Sequence, residues 1–194
     1  MLNLFTEIVF EFIDSLQTAA TVTAAAVTAA ATSSRLQRYY YCCASNQPKE
    51  VAKVILKKGK TQLFRGNGGS PMVYSGAVDR IIGRPPPQTG DVVLVADGTQ
   101  TPFAWGFYNS SSMFCVRLMQ HDLTSDPLNV ENLLETRINA AIQLRNNLGL
   151  PSSTTNAFRL VNSEGDRLSG LIVDVFGDLA VVASSAAWVE KYKE

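Results

Sequence analysis

The 194-residue chain holds one histidine, His121, and three cysteines. A lone histidine with no cysteine or carboxylate at ligand spacing excludes a zinc-type centre and reads as a loop residue. Cys42 and Cys43 are adjacent, and Cys115 stands alone in an apolar run, so no disulfide framework is available. Net charge is absent as well: 17 basic residues balance 17 acidic ones. There is no Gly-x-Ser-x-Gly elbow and no P-loop. The longest uncharged stretch, Ser15 to Ser34, has the twenty residues a bilayer span needs. It is built of Ala and Thr, however, and has little of the Leu, Ile and Phe that drive insertion, so no membrane partner is expected.

Acids are missing altogether from Ser15 to Lys49, where residues 17–32 read QTAATVTAAAVTAAAT and Arg35 and Arg38 follow. Such composition resembles an organellar transit peptide, with the Ser/Thr content leaning to the chloroplast and the mitochondrion as alternative. Glu7, Glu11 and Asp14 depart from that pattern. Residues 1–48 are therefore read as a disordered tail, cleaved as an address, and set aside from the fold.

What is present is unevenly placed. Residues 49–84 carry eight basic groups against two acidic, whereas residues 85–194 carry seven against twelve. A short basic region is the footprint of a polyanion, and equally the look of a solvated lysine face. Its candidate RNA contacts are Lys57, Lys58, Lys60, Arg65, Arg80 and Arg84. Tyr74 is a candidate to stack on a base, with a place in the core as the competing role.

Five short strand-like runs lie between residues 51 and 118: Val51–Leu56, Met72–Val78, Asp91–Ala96, Phe103–Tyr108 and Met113–Leu118. Asp97-Gly98 reads as a two-residue hairpin turn, and Pro85-Pro86-Pro87 as a stiff loop. Short strands with tight turns predict a small β-barrel over 49–125. Over 126–194 the pattern becomes α/β. Val130, Leu133, Leu134, Ile138, Ala141, Ile142, Arg145 and Leu148 recur at helical spacing, with Asn129 as N-cap and Gly149 and Pro151 as stop. Strands over 158–161, 170–176 and 179–184 follow. Trp188 to Tyr192 looks like the opening of a helix too short to bury its face, so the chain reads as truncated. The fold class expected is α+β.

Glu164, Asp166, Asp174 and Asp178 are read as turn residues in preference to an acid/base pair. The stretch Arg65-Gly66-Asn67-Gly68-Gly69-Ser70-Pro71 leads toward a strand, whereas a dinucleotide loop opens a helix. It is read as a flexible connection whose N–H groups still allow a phosphate to approach.

Four stretches carry a resemblance: VILKKGK; SPMVYSGAVDRI; GDVVLVADGTQTPFAWGFYNSSSMFCVRLM; and FRLVNSEGDRLSGLIVDVFGDLAVV. The second is similar to a Pro-x-Val-(Phe/Tyr)-Ser-Gly-Ala motif. The fourth is similar to an Arg-Leu-(Val/Ile)-x-x-Glu-x-Asp-x-Leu-x-Gly-(Leu/Ile)-x-(Val/Ile)-Asp signature. Over about residues 51–194 the chain resembles the ribosomal RNA large subunit methyltransferase I type, PUA-containing cytosine-5 methyltransferases dependent on S-adenosylmethionine. The resemblance implies a PUA barrel and a central α/β domain here, with the catalytic domain and its nucleophilic cysteine beyond Glu194. No catalytic, cofactor-binding or metal-binding residue is assigned in this chain. The family approaches its Val-Tyr-Ser-Gly motif through a basic His-Pro pair, and RGNGGSP departs from it. The function expected is the RNA-binding portion of such an rRNA methyltransferase, with structured rRNA as partner. The alternatives are a stand-alone RNA-binding product and an interaction protein that forms a homodimer through its uncovered face.

Overall fold

The computed structural model describes residues 51–66, 68–121, 123 and 128–192, together with Val9 and Glu11. The Ala/Thr run and the rest of the residue 12–50 segment, on which the transit-peptide reading rests, lie outside the described residues.

β1 (Lys53–Leu56), β2 (Met72–Tyr74), β3 (Val78–Ile82), β4 (Val92–Ala96), β5 (Pro102–Tyr108) and β6 (Phe114–Gln120) form one sheet in the order β2-β6-β5-β4-β1-β3. The edge strands β2 and β3 are joined by only three residues, the 3-10 turn Ser75–Ala77. So short a link brings the two edges to a shared corner and curls the sheet into the expected barrel. The single strand read over Met72–Val78 is thus two strands, and the count is six instead of five. The alternation over 72–78 hides the break, because Ala77 is buried like a strand residue while its backbone turns.

The β4–β5 connection also differs from the two-residue turn expected. Asp97 accepts from the Thr99 N–H (2.9 Å), the Thr99 hydroxyl (2.6 Å) and the Thr101 N–H (3.0 Å). Gln100, not Gly98, takes the positive φ of 69°. The aspartate side chain organises a longer loop by standing in for a backbone carbonyl. These hydrogen bonds, the Thr99 hydroxyl first, hold its carboxyl below the usual range.

Val54, Leu56, Val73, Val93, Val95, Ala104 and Val116 fill the inside of the curl. Beyond the sheet, α1 (Val130–Asn147) precedes β7 (Ala157–Asn162), β8 (Leu171–Phe176), β9 (Leu179–Ser184) and α2 (Ala187–Lys191). The three strands make an antiparallel sheet ordered β7-β8-β9. Asn129 caps α1 as expected, its side chain accepting from the Asn132 N–H at 3.0 Å. Leu133, Leu134, Ile138 and Ala141 turn inward at helical spacing. They meet Leu160, Val161, Val173 and Val175 of the second sheet and Trp105, Phe107 and Met119 of the first. A second core therefore fastens the barrel to the α/β part. Val9, from the segment set aside as a tail, is buried in it.

One expectation fails inside this core. α2 has only five residues, yet Trp188 is 3% exposed. Its ring stacks on Phe107 at 4.9 Å and its Nε1 donates to the Ser169 carbonyl at 2.8 Å. Tertiary packing, not helix length, holds it. Arg145, in the last turn of α1, is buried and makes a two-pronged pair with Asp166, both bonds 2.7 Å.

Candidate nucleic-acid interface

β1 ends where Lys57 begins. The Lys57 N–H donates to the Ala77 carbonyl (2.8 Å) and its Nζ to the Gly76 carbonyl (2.9 Å). Lys58 abuts the β4–β5 loop, since a Cβ on Gly98 would lie 3.2 Å from the Lys58 backbone. Lys60 precedes the 3-10 turn Thr61–Leu63. Arg65 lies over the Phe103 ring at 5.1 Å, 3.8 Å from the Asp97 carboxylate. Lys57, Lys58, Lys60 and Arg65 are all exposed. The structure therefore gathers these four on one segment at one end of the sheet.

The remaining candidates are placed elsewhere. Arg80 lies opposite Ile55 in the middle of β3 and pairs with its neighbour Asp79 at 2.6 Å. Arg84 follows β3 at the other end, where it lines a 370 Å³ cavity with Pro85, Pro86, Pro87 and Lys191. Tyr74 is half-buried, its ring 6.3 Å from Phe64 in the barrel core.

The glycine stretch is tighter than a flexible connection. The Gly69 N–H donates to the Gly66 carbonyl at 3.2 Å, and the Ser70 N–H to the Leu63 carbonyl at 2.9 Å. A Cβ on Gly69 would lie 2.6 Å from the Phe64 carbonyl carbon, so the chain folds back too closely for any side chain. The turn feeds β2, a strand, and so lacks the helix N-terminus that a nucleotide cradle uses.

That turn forms one wall of a 560 Å³ cleft between barrel and α/β part. Met119, His121, Arg137, Glu164, Arg167 and Ser169 line it with Gly66 and Gly69. Sequence reading did not single out its arginines. Arg137 donates to the carbonyls of Met119 and Arg167. Burial, and after it the charge of Arg167, push its guanidinium down to about 10, still a cation at neutral pH. Glu164 accepts from Arg117 (3.2 Å), Ser163 (2.5 Å) and Ser169 (2.7 Å). Burial raises its carboxyl, but these partners outweigh burial and leave it below the usual range. Spacing held a signal for Arg137, three residues after Leu134 and four before Ala141 on the inward face of α1. Arg167 was signalled by an arginine following Gly165-Asp166 in a turn. Three of the four carboxylates are accounted for by ion pairs, Asp166 with Arg145, Glu164 with Arg117, and Asp174 with Arg159 at 2.9 Å, and Asp178 lies in the turn between β8 and β9. Asp174 sits on β8 and not in a turn.

Residues 54–121 match the PUA-like domain family. The chain is 32% identical over 145 residues to a ribosomal RNA large subunit methyltransferase I from Alteromonas mediterranea, covering 74% of this chain and 34% of the relative. A protein of the same name from Erwinia tasmaniensis is 33% identical over 141 residues, covering 71% and 33%. Among solved structures it is similar to SMU.776, described as a methyltransferase and complexed with SAH. That match has a TM-score of 0.57 at 18% identity over 72% of this chain and 34% of the other, a likeness of fold. The chain spans about a third of the length of the curated relatives it matches. It carries a PUA-like domain and is related over some seven-tenths of its own length to the ribosomal RNA large subunit methyltransferase I proteins.

Proposed function

We propose that this chain is the RNA-binding portion of an rRNA cytosine-5 methyltransferase. The observation that carries the reading is the exposed cationic segment Lys57, Lys58, Lys60 and Arg65 on a PUA-like barrel. Lysines and arginines neutralise phosphates and set the register of a folded RNA, while base contacts supply sequence preference. The relationship implies S-adenosylmethionine as methyl donor for the whole protein. The residues here do not suit it, because the glycine turn feeds a strand, and no methyl-transfer step is assigned to them.

The test is a filter-binding titration of the full chain on folded rRNA fragments at several salt concentrations. Affinity is expected to fall steeply with salt. Lys57→Glu, Lys58→Glu and Lys60→Glu together are expected to weaken binding about 100-fold or more. Binding that is absent, or indifferent to salt, defeats the reading.

A stand-alone RNA-binding product is the second form of this proposal. Self-association is a separate reading, resting on β9, where Leu179, Val181 and Val182 are exposed. The organellar address belongs to the proposal too. If a leader of the expected length is removed in the chloroplast or mitochondrion, the native protein carries a new N-terminus near residue 49. N-terminal sequencing of the protein from cells checks this, and an N-terminus at Met1 refutes it.

A further inference from the structure

Arg167 joins an uncommon backbone position to a charge that no ion pair among the described residues takes up. Its backbone is left-handed, with φ of 60°, where it closes the 3-10 turn Ser163–Asp166. That is a position glycine or asparagine occupies without cost, while a long side chain is disfavoured. Its guanidinium is exposed and has no carboxylate within ion-pairing distance among the described residues, although Glu164 and Asp166 are close in sequence. Those acids are committed to Arg117 and Arg145. Arg137 donates to the Arg167 carbonyl and so holds that peptide in place. It too has no carboxylate partner among the described residues, and the two cations repel one another. Both line the cleft, opposite the glycine turn. Two cations facing one cleft, whose described carboxylate Glu164 is already paired with Arg117, favour an anion between them.

We propose that Arg167, positioned by Arg137, forms with Gly66 and Gly69 across the cleft a seat for one backbone phosphate of bound RNA. The inference rests on the RNA-binding reading above and adds a contact outside the lysine segment. A phosphate there bridges barrel and α/β part, so the RNA crosses both and is not confined to the barrel.

The experiment titrates a fluorescent folded RNA hairpin with the full chain, as Arg167→Asn, as Lys57→Glu/Lys58→Glu, and unaltered, across a salt series. Asparagine tolerates the left-handed backbone, so Arg167→Asn keeps the fold, and its thermal midpoint should equal or exceed that of the parent. Its affinity should drop about 5- to 10-fold, and the slope of log affinity against log salt should shrink by about 0.9. Arg167→Lys should recover part of the loss. If Arg167→Asn binds like the parent while the lysine variant is weakened, the seat is refuted and RNA binding stands. If the unaltered chain shows no salt-dependent binding, both fall. Inorganic phosphate alone provides the last arm. Stabilisation by phosphate that Arg167→Asn abolishes, with RNA affinity unchanged, would make this a free-phosphate site and refute it as an RNA contact, while RNA binding by the lysine segment stands.

Discussion

Asp166→Ala is expected to lower folding stability by about 3–5 kcal/mol, read as a fall in the urea midpoint. The carboxylate takes two hydrogen bonds from the Arg145 guanidinium and one from the Asn162 N–H at 2.6 Å. Arg145 also donates through Nε to the Arg159 carbonyl at 3.0 Å. The two side chains are only 9% and 6% exposed. Removing one partner leaves a buried cation between α1 and β7 with nothing to balance it, which costs more than the pair contributes. The double variant Arg145→Met/Asp166→Leu is therefore expected to be more stable than Asp166→Ala alone. A single-variant loss below about 1 kcal/mol would show a pair that behaves as if it were on the surface.

The same pair has a pH signature. Burial raises the Asp166 carboxyl, but the Arg145 hydrogen bonds, the Asn162 N–H and the Arg145 charge together bring it below its ordinary value. A folded pKa below the unfolded one gives stability that is complete above the unfolded value, near 4, and lost as pH falls through the folded one. The parent should lose stability more steeply below about pH 4 than the double variant does. Equal slopes would mean that Asp166 does not titrate as part of this pair.

Periodicity revealed what repeats. Spacing of 3.6 placed α1 and its inward face, and the β-branched runs placed β4, β5 and β9 nearly to their ends. Local rules failed where a distant contact decides. Asp97-Gly98 has the composition of a tight turn, but the Asp97 side chain draws in Thr99 and Thr101 and lengthens it. VDRII was missed as β3 because Asp79 and Arg80 break the apolar pattern. An outer strand of a sheet needs no such pattern, and this one is exposed over most of its length.

The candidate site was legible only where charge is dense in sequence. Lys57, Lys58, Lys60 and Arg65 are near neighbours in the chain and remain so in space. Arg137 and Arg167 are thirty residues apart and come together because β7 and its following turn fold back on α1. No local window holds that information. Net charge misleads here as well, because the acids nearest these two in the chain, Glu164 and Asp166, are spent on Arg117 and Arg145 and leave them uncompensated.

Trp188→Ala is expected to cost about 3–5 kcal/mol, a loss as large as any core truncation in a small protein. Trp188 lies nearly parallel to Phe107, 7° between the planes, and Phe107 also meets Tyr192 at 5.6 Å. The change opens a cavity where the barrel, β8 and the end of the chain converge, and it strands the Ser169 carbonyl. Trp188→Phe retains a ring on Phe107 and loses the hydrogen bond, so its penalty should fall to about 1–2 kcal/mol. Trp105 supplies the contrast. It is just as buried, yet its Nε1 has no hydrogen-bond partner among the described residues. Trp105→Phe sacrifices volume and removes an unsatisfied donor, so it should be the milder of the two phenylalanine substitutions. Urea unfolding followed by circular dichroism ranks the three. If Trp188→Ala unfolds at the parent's midpoint, α2 frays independently of the core, as five isolated helical residues would. If the order holds, the last turn of the chain is part of the cooperative unit, and the aromatic stack supplies the stability that its length cannot.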